Sequence, residues 1–200
     1  MYYEVWEKEK DNKITVAIVF RGTDQKRDWL PNLRWAVRHF LWDQYHQVQA
    51  LIPRLVKEIY KRHQGKGVTI VTLGHSLGGG LAQQAAYVTE EIHNVYAFNS
   101  SPVTGFTSIT RAHRHINKCG VNVTHVYQKG EVLAFLRALL RRIRPLTRKN
   151  PTITEIRFNL AHHKGPKGPK NPIAKHGMWD LAVNLYKVAK SPTAANNCPD

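Results

Sequence analysis

The sequence predicts an α/β protein in which helices cover both faces of a mostly parallel β-sheet. Strand-length apolar segments alternate with segments of helical periodicity along most of the 200 residues. Several strand segments are continuous apolar runs, such as KITVAIVF at 13–20, and such runs are typical of parallel strands buried on both faces. No internal repeat and no second domain boundary are visible. We therefore expect a single domain over residues 1–190 and a disordered tail at 191–200.

The elements follow one another in a regular order. Residues 2–9 alternate polar and apolar side chains, and Asp11-Asn12 separates them from the run at 13–20, which predicts an outer strand that turns into a buried one. Helical periodicity then extends from about residue 33 to 62, and Pro53 marks a place where this helix can break. A mixed helical or irregular segment leads up to residue 118. The remaining strand segments lie at 68–73, 94–100, 121–128 and 152–160, and the remaining helical segments lie at 78–90 and 176–190.

Charge is the unusual global property of the chain. The chain has 30 basic and 14 acidic residues, which gives a formal net charge of +16. The excess is concentrated in an amphipathic basic segment at 135–149 and in a Gly- and Pro-rich loop at 162–175. Such a charge distribution favours anionic partners, and the pattern at 135–149 suits a membrane interface.

No segment has the pattern of a leader, a membrane span or a metal site. No apolar run approaches the length of a transmembrane helix, and the first ten residues are charged rather than apolar. The sequence therefore leaves two locations open for the protein: the cytoplasm, or outside the cell after export by an unconventional route. The two cysteines, Cys119 and Cys198, lack metal or redox spacing, so neither a disulfide nor a metal is indicated, and we expect no cofactor.

The segment 68–80 carries the strongest chemical signal. It passes from an apolar β-branched run through the pentapeptide GHSLG around Ser76 into a small-residue helical pattern. Such a turn strains the serine between strand and helix, and Gly74 and Gly78 provide the clearance that the turn needs. The bend should lift the Ser76 hydroxyl above the sheet, where the N–H groups of the next helix stabilise a developing oxyanion. The pattern predicts a nucleophilic serine, and we expect His75 to point elsewhere and to pack.

A serine nucleophile needs a base and a carboxylate that orients the base, and at this kind of turn the chain order is serine, acid, histidine. Six acidic residues follow Ser76: Glu90, Glu91, Glu131, Glu155, Asp180 and Asp200. Two of them close the helix behind the serine, one lies inside a strand segment and one ends the tail. Glu131 follows the strand at 121–128 in the turn QKGE, which is where the acid belongs. Asp180 remains the alternative, although we expect it to form a local pair with a residue four positions away.

Three histidines follow Glu131, namely His162, His163 and His176. His176 begins the final helical segment after a Gly- and Pro-rich loop, and from there a side chain can reach back over the sheet. We favour His176 as the base and keep the pair at 162 and 163 as competitors.

These motifs resemble the class 3 lipases, an α/β-hydrolase family related to the fungal triacylglycerol lipases. The resemblance is carried by VAIVFRGTDQKRDWLPNL at 16–33, TIVTLGHSLGGGLAQQAA at 69–86 and VYAFNSSPVTG at 95–105. It implies an α/β-hydrolase fold and an oxyanion hole formed by Thr23 and the Leu77 N–H. The family usually has aspartate where Glu131 stands, and its N-terminal helices are missing, so we expect a compact member or one domain of a longer protein.

The function expected from the residues and the resemblance is that of a serine lipase or esterase that works through an acyl-enzyme. The resemblance implies a lid that begins with Trp29, Leu30 and Leu33, although a core helix explains most of this segment almost equally well. The basic segment at 135–149 should lie near Glu131, which favours phospholipid over glyceride by a small margin.

Two other functions stay open. A catalytically inactive hydrolase-fold module could bind an anionic membrane or nucleic acid by charge alone, and acyl transfer to another acceptor would use the same residues. We expect a lipid ester substrate, peripheral contact with an anionic membrane surface and no nucleic-acid partner. The sequence gives no indication of oligomeric state.

Overall fold

The computed structural model describes residues 1–22, 33–131, 133, 151–158 and 175–189. The described residues form six strands, four α-helices and a short 3₁₀ turn at Phe106–Ser108. The strands are β1 (Tyr3–Lys10), β2 (Lys13–Phe20), β3 (Gly67–His75), β4 (Ile92–Phe98), β5 (Asn122–Gln128) and β6 (Thr152–Phe158). The helices are α1 (Leu33–Arg62), α2 (Leu77–Val88), α3 (Arg111–Asn117) and α4 (Met178–Ala189).

The six strands form one sheet in the order β1-β2-β3-β4-β5-β6. β1 pairs antiparallel with β2, and all the following pairs are parallel. Because crossovers between parallel strands are right-handed, this steady order directs α1, α2 and α3 to one face of the sheet. Contacts of α2 with both α1 and α3 agree with that arrangement. The predicted mostly parallel α/β fold is confirmed.

The core lies between the sheet and the layer of α1 and α2. β2 turns alternate side chains into this layer, and α1 and α2 meet them with apolar stripes at helical spacing. The most deeply buried members are Val16, Ile18 and Phe20 of β2, Val48, Ile52, Val56 and Ile59 of α1, and Leu81, Ala82, Ala85 and Ala86 of α2. The small residues of α2 let this helix lie close to the carboxyl ends of the strands.

The opposite face of the sheet is approached by the C-terminal segment. A Cβ added at Gly74 would meet the backbone of α2, so position 74 faces that helix. Because side chains alternate along a strand, His75 points to the other face of the sheet. The His75 ring contacts His176, which lies two residues before the start of α4. Leu181 of α4 is fully buried. The C-terminal segment is therefore held against the sheet near the end of β3.

Two elements differ from the sequence prediction for a clear structural reason. α1 continues through Pro53 without a break, because buried residues on both sides of the proline, Ile52 and Val56, hold the helix on the core and offset a cost of about 3 kcal/mol. β4 ends at Phe98 rather than at residue 100, since Asn99 has a φ of 40° and leaves the extended conformation.

Other predicted segments lie outside the described residues. They are the basic segment at 135–149, most of the basic loop at 162–175 and the tail at 191–200. Within the described part of the chain, no helix combines the length and apolar character needed to span a bilayer.

Candidate active site

Ser76 joins β3 to α2 in a strained conformation. Its φ of 57° and ψ of −121° are unusual for a residue with a side chain and cost on the order of 1–3 kcal/mol. Three backbone hydrogen bonds hold it there. The Ser76 N–H donates to the Phe98 carbonyl (3.0 Å), and the Ser76 carbonyl accepts from the N–H groups of Gly79 (3.1 Å) and Ser101 (2.9 Å). The sharp strand-to-helix turn predicted from GHSLG is present.

The glycines on either side of Ser76 are required by close packing. A Cβ at Gly74 would overlap the backbone of Gly78, and a Cβ at Gly78 would overlap the carbonyl oxygen of Phe20. These are backbone atoms, so no side-chain rotation could relieve the overlap. The clearance that the sequence assigned to both glycines is confirmed.

The expectation that the Ser76 hydroxyl stands clear above the sheet is wrong. Ser76 is 2% exposed, and its Oγ has no hydrogen-bond partner among the described residues. Gly22, two residues after β2, packs against it, since a Cβ on Gly22 would lie 3.4 Å from the Ser76 Cβ. A buried hydroxyl without a partner costs about 1–3 kcal/mol, so the site keeps an unfavourable polar group. No hydrogen bond joins the Ser76 Oγ to Glu131 or His176, the buried pair described next.

Glu131 and His176 form a buried pair. Glu131 lies in the turn after β5 and is 3% exposed, and His176 lies just before α4 and is 7% exposed. His176 Nδ1 is 2.7 Å from Glu131 Oε2, which also accepts a hydrogen bond from the Leu133 N–H (2.9 Å). Because a carboxylate accepts, Nδ1 carries the proton in this contact. In the neutral ring Nε2 is then the nitrogen that can take a proton from another group.

The other acids and histidines considered for the site differ in what the structure shows of them. Glu155 is hydrogen-bonded to Tyr127 (2.9 Å) and paired with Arg157 (3.2 Å) on the edge strand β6. Glu90 and Glu91 are exposed at the far end of α2. The backbone of Asp180 lies in α4, but its side chain, the pair at 162 and 163, and Asp200 lie outside the described groups.

His75 turns away from Ser76 and packs, as the sequence predicted, but the residue that it packs against is His176. Its Nε2–H donates to the backbone carbonyl of His176 (2.7 Å), and the two ring centroids are 4.9 Å apart. Burial, reinforced by the neighbouring His176, lowers the pKa of His75 to about 4. The ring is therefore neutral near pH 7. Adjacent side chains diverge at the turn as expected, but His75 diverges toward the segment that carries His176.

Asn99 is a site residue that the sequence reasoning missed. It is fully buried directly after β4, its Nδ2 donates to the His176 carbonyl (3.2 Å), and its Oδ1 accepts from the Gln128 N–H (3.0 Å). The available signal was its position. A polar residue at the carboxyl end of a buried parallel strand lies where ligand-binding side chains gather.

Several predicted site residues cannot be placed. Thr23, Trp29 and Leu30 lie outside the described residues, and only the backbone of Leu33 is described, at the start of α1. Leu77 is the first residue of α2 and is 4% exposed.

The model of a phospholipase-like family, described as a Tle-like phospholipase domain, matches residues 1–172. The chain belongs to this family. The match confirms the resemblance to lipases that the sequence motifs indicated.

Two further comparisons concern individual proteins. An extracellular phospholipase A1 of Serratia liquefaciens is 37% identical to this phospholipase-like chain over 93 residues, which are 46% of the chain but 25% of that relative's length. A solved lipase–propeptide complex from Rhizomucor miehei is 20% identical with a TM-score of 0.43, and the match covers 67% of this chain and 46% of the other.

The described part of this phospholipase-like chain offers no ready metal site. No three His, Cys, Asp or Glu side chains come together there in an arrangement that could hold a metal ion.

Proposed function

We propose that this phospholipase-like domain hydrolyses carboxylic ester bonds of lipids through an acyl-enzyme on Ser76. The observation that carries the proposal is the buried Glu131–His176 contact of 2.7 Å, formed at the same end of the sheet as the strained serine. A serine hydroxyl is a weak nucleophile unless a base takes its proton, and an oriented imidazole is such a base.

The reaction would have two stages. His176 Nε2 takes the Ser76 proton while Oγ bonds to the ester carbonyl carbon, and Glu131 stabilises the imidazolium that forms. The imidazolium then gives its proton to the leaving alcohol. In the second stage His176 deprotonates a water molecule as its oxygen bonds to the acyl carbon. The bond from that carbon to Ser76 Oγ then breaks, the imidazolium returns its proton to Oγ, and the fatty acid leaves.

The oxyanion would be held by backbone N–H groups. Leu77 begins α2, so its N–H is one of the four at this helix start that have no partner within the helix. Thr23 directly follows Gly22, which packs against Ser76, and we assign the second donor to Thr23 from the motif resemblance. Loss of one such donor should lower kcat roughly a hundredfold to a thousandfold.

Phospholipid is the substrate class that we favour. The net charge of +16 favours anionic surfaces, and the Serratia relative is a phospholipase A1. The acyl chain would be sheltered by a lid that includes Trp29, Leu30 and Leu33. Peripheral contact with an anionic bilayer would bring the domain to its substrate.

The test compares wild type with Ser76→Ala, His176→Ala and Glu131→Gln on p-nitrophenyl butyrate and on phosphatidylglycerol vesicles. All three variants should lose most activity, with Glu131→Gln lowering kcat on the order of 10⁴-fold because the imidazole loses its orienting carboxylate. Ser108→Ala serves as the matched serine control and should keep wild-type rates.

Three outcomes would contradict parts of the proposal. Wild-type turnover by Ser76→Ala would exclude the serine mechanism. Loss of activity in Asp180→Asn combined with full activity in Glu131→Gln would move the acid to position 180. Vesicle binding without turnover by wild type would favour an inactive membrane-binding module.

The preference for an anionic surface has its own test. Replacing phosphatidylglycerol with phosphatidylcholine should lower the rate of hydrolysis of the vesicle lipid at low salt, and added salt should reduce the difference between the two lipids.

A further inference from the structure

The backbone carbonyl of His176 is held by two side chains from different parts of the sheet. His75 Nε2 donates to it from the end of β3 at 2.7 Å, and Asn99 Nδ2 donates to it from just beyond β4 at 3.2 Å. A carbonyl oxygen has two lone pairs, so it can accept both bonds at once. The two donors approach from neighbouring strands and fix the backbone of His176 against the carboxyl edge of the sheet.

Asn99 also reaches the strand that leads to the acid. Its Oδ1 accepts from the N–H of Gln128, the last residue of β5, and its own N–H donates to the Val126 carbonyl (2.8 Å). Glu131 lies three residues after Gln128, and its N–H donates back to the Gln128 carbonyl (3.4 Å). One buried amide side chain therefore ties the backbone before the acid to the backbone of the histidine.

The backbone of Asn99 is suited to this bridging position. A φ of 40° lies in the left-handed region, which asparagine tolerates better than most residues with a side chain. Asn99 is fully buried, so each of its polar atoms needs a partner inside the protein. The bonds to His176 and Gln128 provide partners for both ends of the amide.

His75 contributes packing as well as a hydrogen bond. Its ring lies 4.9 Å from that of His176 at an interplanar angle of 48°. The neutral ring that burial favours carries a proton on Nε2, which the bond to the carbonyl requires, and adds no positive charge beside the base. His75 directly precedes Ser76, so the same turn that orients the nucleophile also restrains the base.

We propose that Asn99 and His75 are positioning residues that hold the imidazole of His176 in line with Glu131 and Ser76. The inference rests on the proposed serine mechanism and assigns two residues to it that neither the motif nor the family match identifies. The two side chains act through His176 and do not touch the substrate. Reactions of this type lose roughly a hundredfold in rate when a catalytic group moves by about 1 Å, so loosening the carbonyl should act on kcat.

The test uses substitutions that remove the donors with little other change. Asn99→Gly deletes the amide at a φ that glycine adopts freely, and His75→Phe keeps a ring against His176 but removes the donor. His75→Gln restores an N–H donor and is the conservative rescue. Asn117→Ala is the matched control, because Asn117 also donates an amide hydrogen bond to a backbone carbonyl, that of Tyr87 at 3.0 Å, but from α3.

The expected results separate positioning from folding. With p-nitrophenyl butyrate, Asn99→Gly and His75→Phe should each lower kcat roughly tenfold to a hundredfold with KM within about twofold of wild type. His75→Gln should recover most of the kcat, and Asn117→Ala should keep wild-type values. The downfield proton NMR signal of the His176–Glu131 hydrogen bond should broaden or shift in Asn99→Gly and His75→Phe and stay in place in Asn117→Ala.

Wild-type kcat in folded Asn99→Gly and His75→Phe would overturn the positioning role, as would a kcat loss that His75→Gln does not recover at all. If Asn99→Gly fails to fold, His75→Phe and His75→Gln decide the question. Both replacements fill much of the space that the His75 ring occupies, so both should fold. Ser76→Ala tells this failure apart from failure of the proposed mechanism. An active Ser76→Ala would remove the serine mechanism itself, whereas an inactive one beside fully active Asn99 and His75 variants would remove the positioning role alone.

Discussion

Acid should destabilise the folded protein through His75, and the size of the effect follows from its surroundings. Burial, and secondarily the neighbouring His176, lowers the pKa of His75 from 6.5 to about 4. In the unfolded chain the side chain titrates near its ordinary value of about 6.5. Between these two values the unfolded chain binds a proton that the native protein does not. The stabilising contribution is therefore fully present above pH 6.5 and is lost as the pH falls from 6.5 through 4.

The magnitude is set by the distance between the two pKa values. One pKa unit corresponds to about 1.4 kcal/mol, so the loss attributable to His75 approaches about 3 kcal/mol by pH 4. That is a large part of the total stability of a typical domain, which is about 5–15 kcal/mol.

Urea unfolding followed by tryptophan fluorescence, at steps from pH 7 to pH 4, measures this effect in wild type and in His75→Phe. Phenylalanine has no proton to bind, so the free energy of unfolding of wild type should fall by about 3 kcal/mol more than that of the variant over the range. Titration of carboxylates occurs in both proteins and cancels in the difference. Parallel decline of the two free energies would refute the reasoning, because it would mean that His75 titrates alike in both states.

Two further predictions concern packing around the same end of the sheet. Gly78→Ala should lower the free energy of unfolding, measured with urea, by about 3 kcal/mol, because the new Cβ would overlap the Phe20 carbonyl oxygen. Gly67→Ala at the other end of β3 is the control and should be near neutral, because its Cβ would lie 3.7 Å from the nearest side-chain atom. Tyr45→Phe should cost about 1 kcal/mol by removing the hydroxyl that donates to the Val103 carbonyl (2.5 Å), and a thermal or urea midpoint equal to wild type would show that this bond contributes nothing net.

Most of the fold could be predicted because its signals are local. Alternating or continuous apolar runs located the six strands of the described part of the chain, and helical periodicity located α1, α2 and α4 within a few residues. The break that the sequence left possible at Pro53 does not occur, because the local cost of the proline is outweighed by core contacts made by its neighbours. The end of β4 was misjudged because the φ of Asn99 is stabilised by hydrogen bonds to residues far along the chain.

The candidate site divides in the same way. Ser76 is marked by its own neighbours, since only glycine fits at positions 74 and 78, so the turn is visible in five consecutive residues. Glu131 was preferred over Asp180 from its place after β5, and the structure brings it to His176, although the catalytic roles of all three residues stay predictions. The sequence could not give the orientation of His75 or the involvement of Asn99, because both depend on where His176 lies in the fold. His176 is about a hundred residues from His75 and about eighty from Asn99 along the chain.

The sequence by itself determined the alternation of strands and helices, the glycine-bounded turn at Ser76 and the short set of acids and histidines that could serve it. Each of these depends on side chains within one turn or strand, where spacing and steric size act directly. Only the tertiary structure decided that Glu131 meets His176, that Ser76 is covered, and that one carbonyl accepts from His75 and Asn99. Those contacts join residues 45 to 101 positions apart, and their distances are fixed by packing of the whole sheet rather than by any local preference.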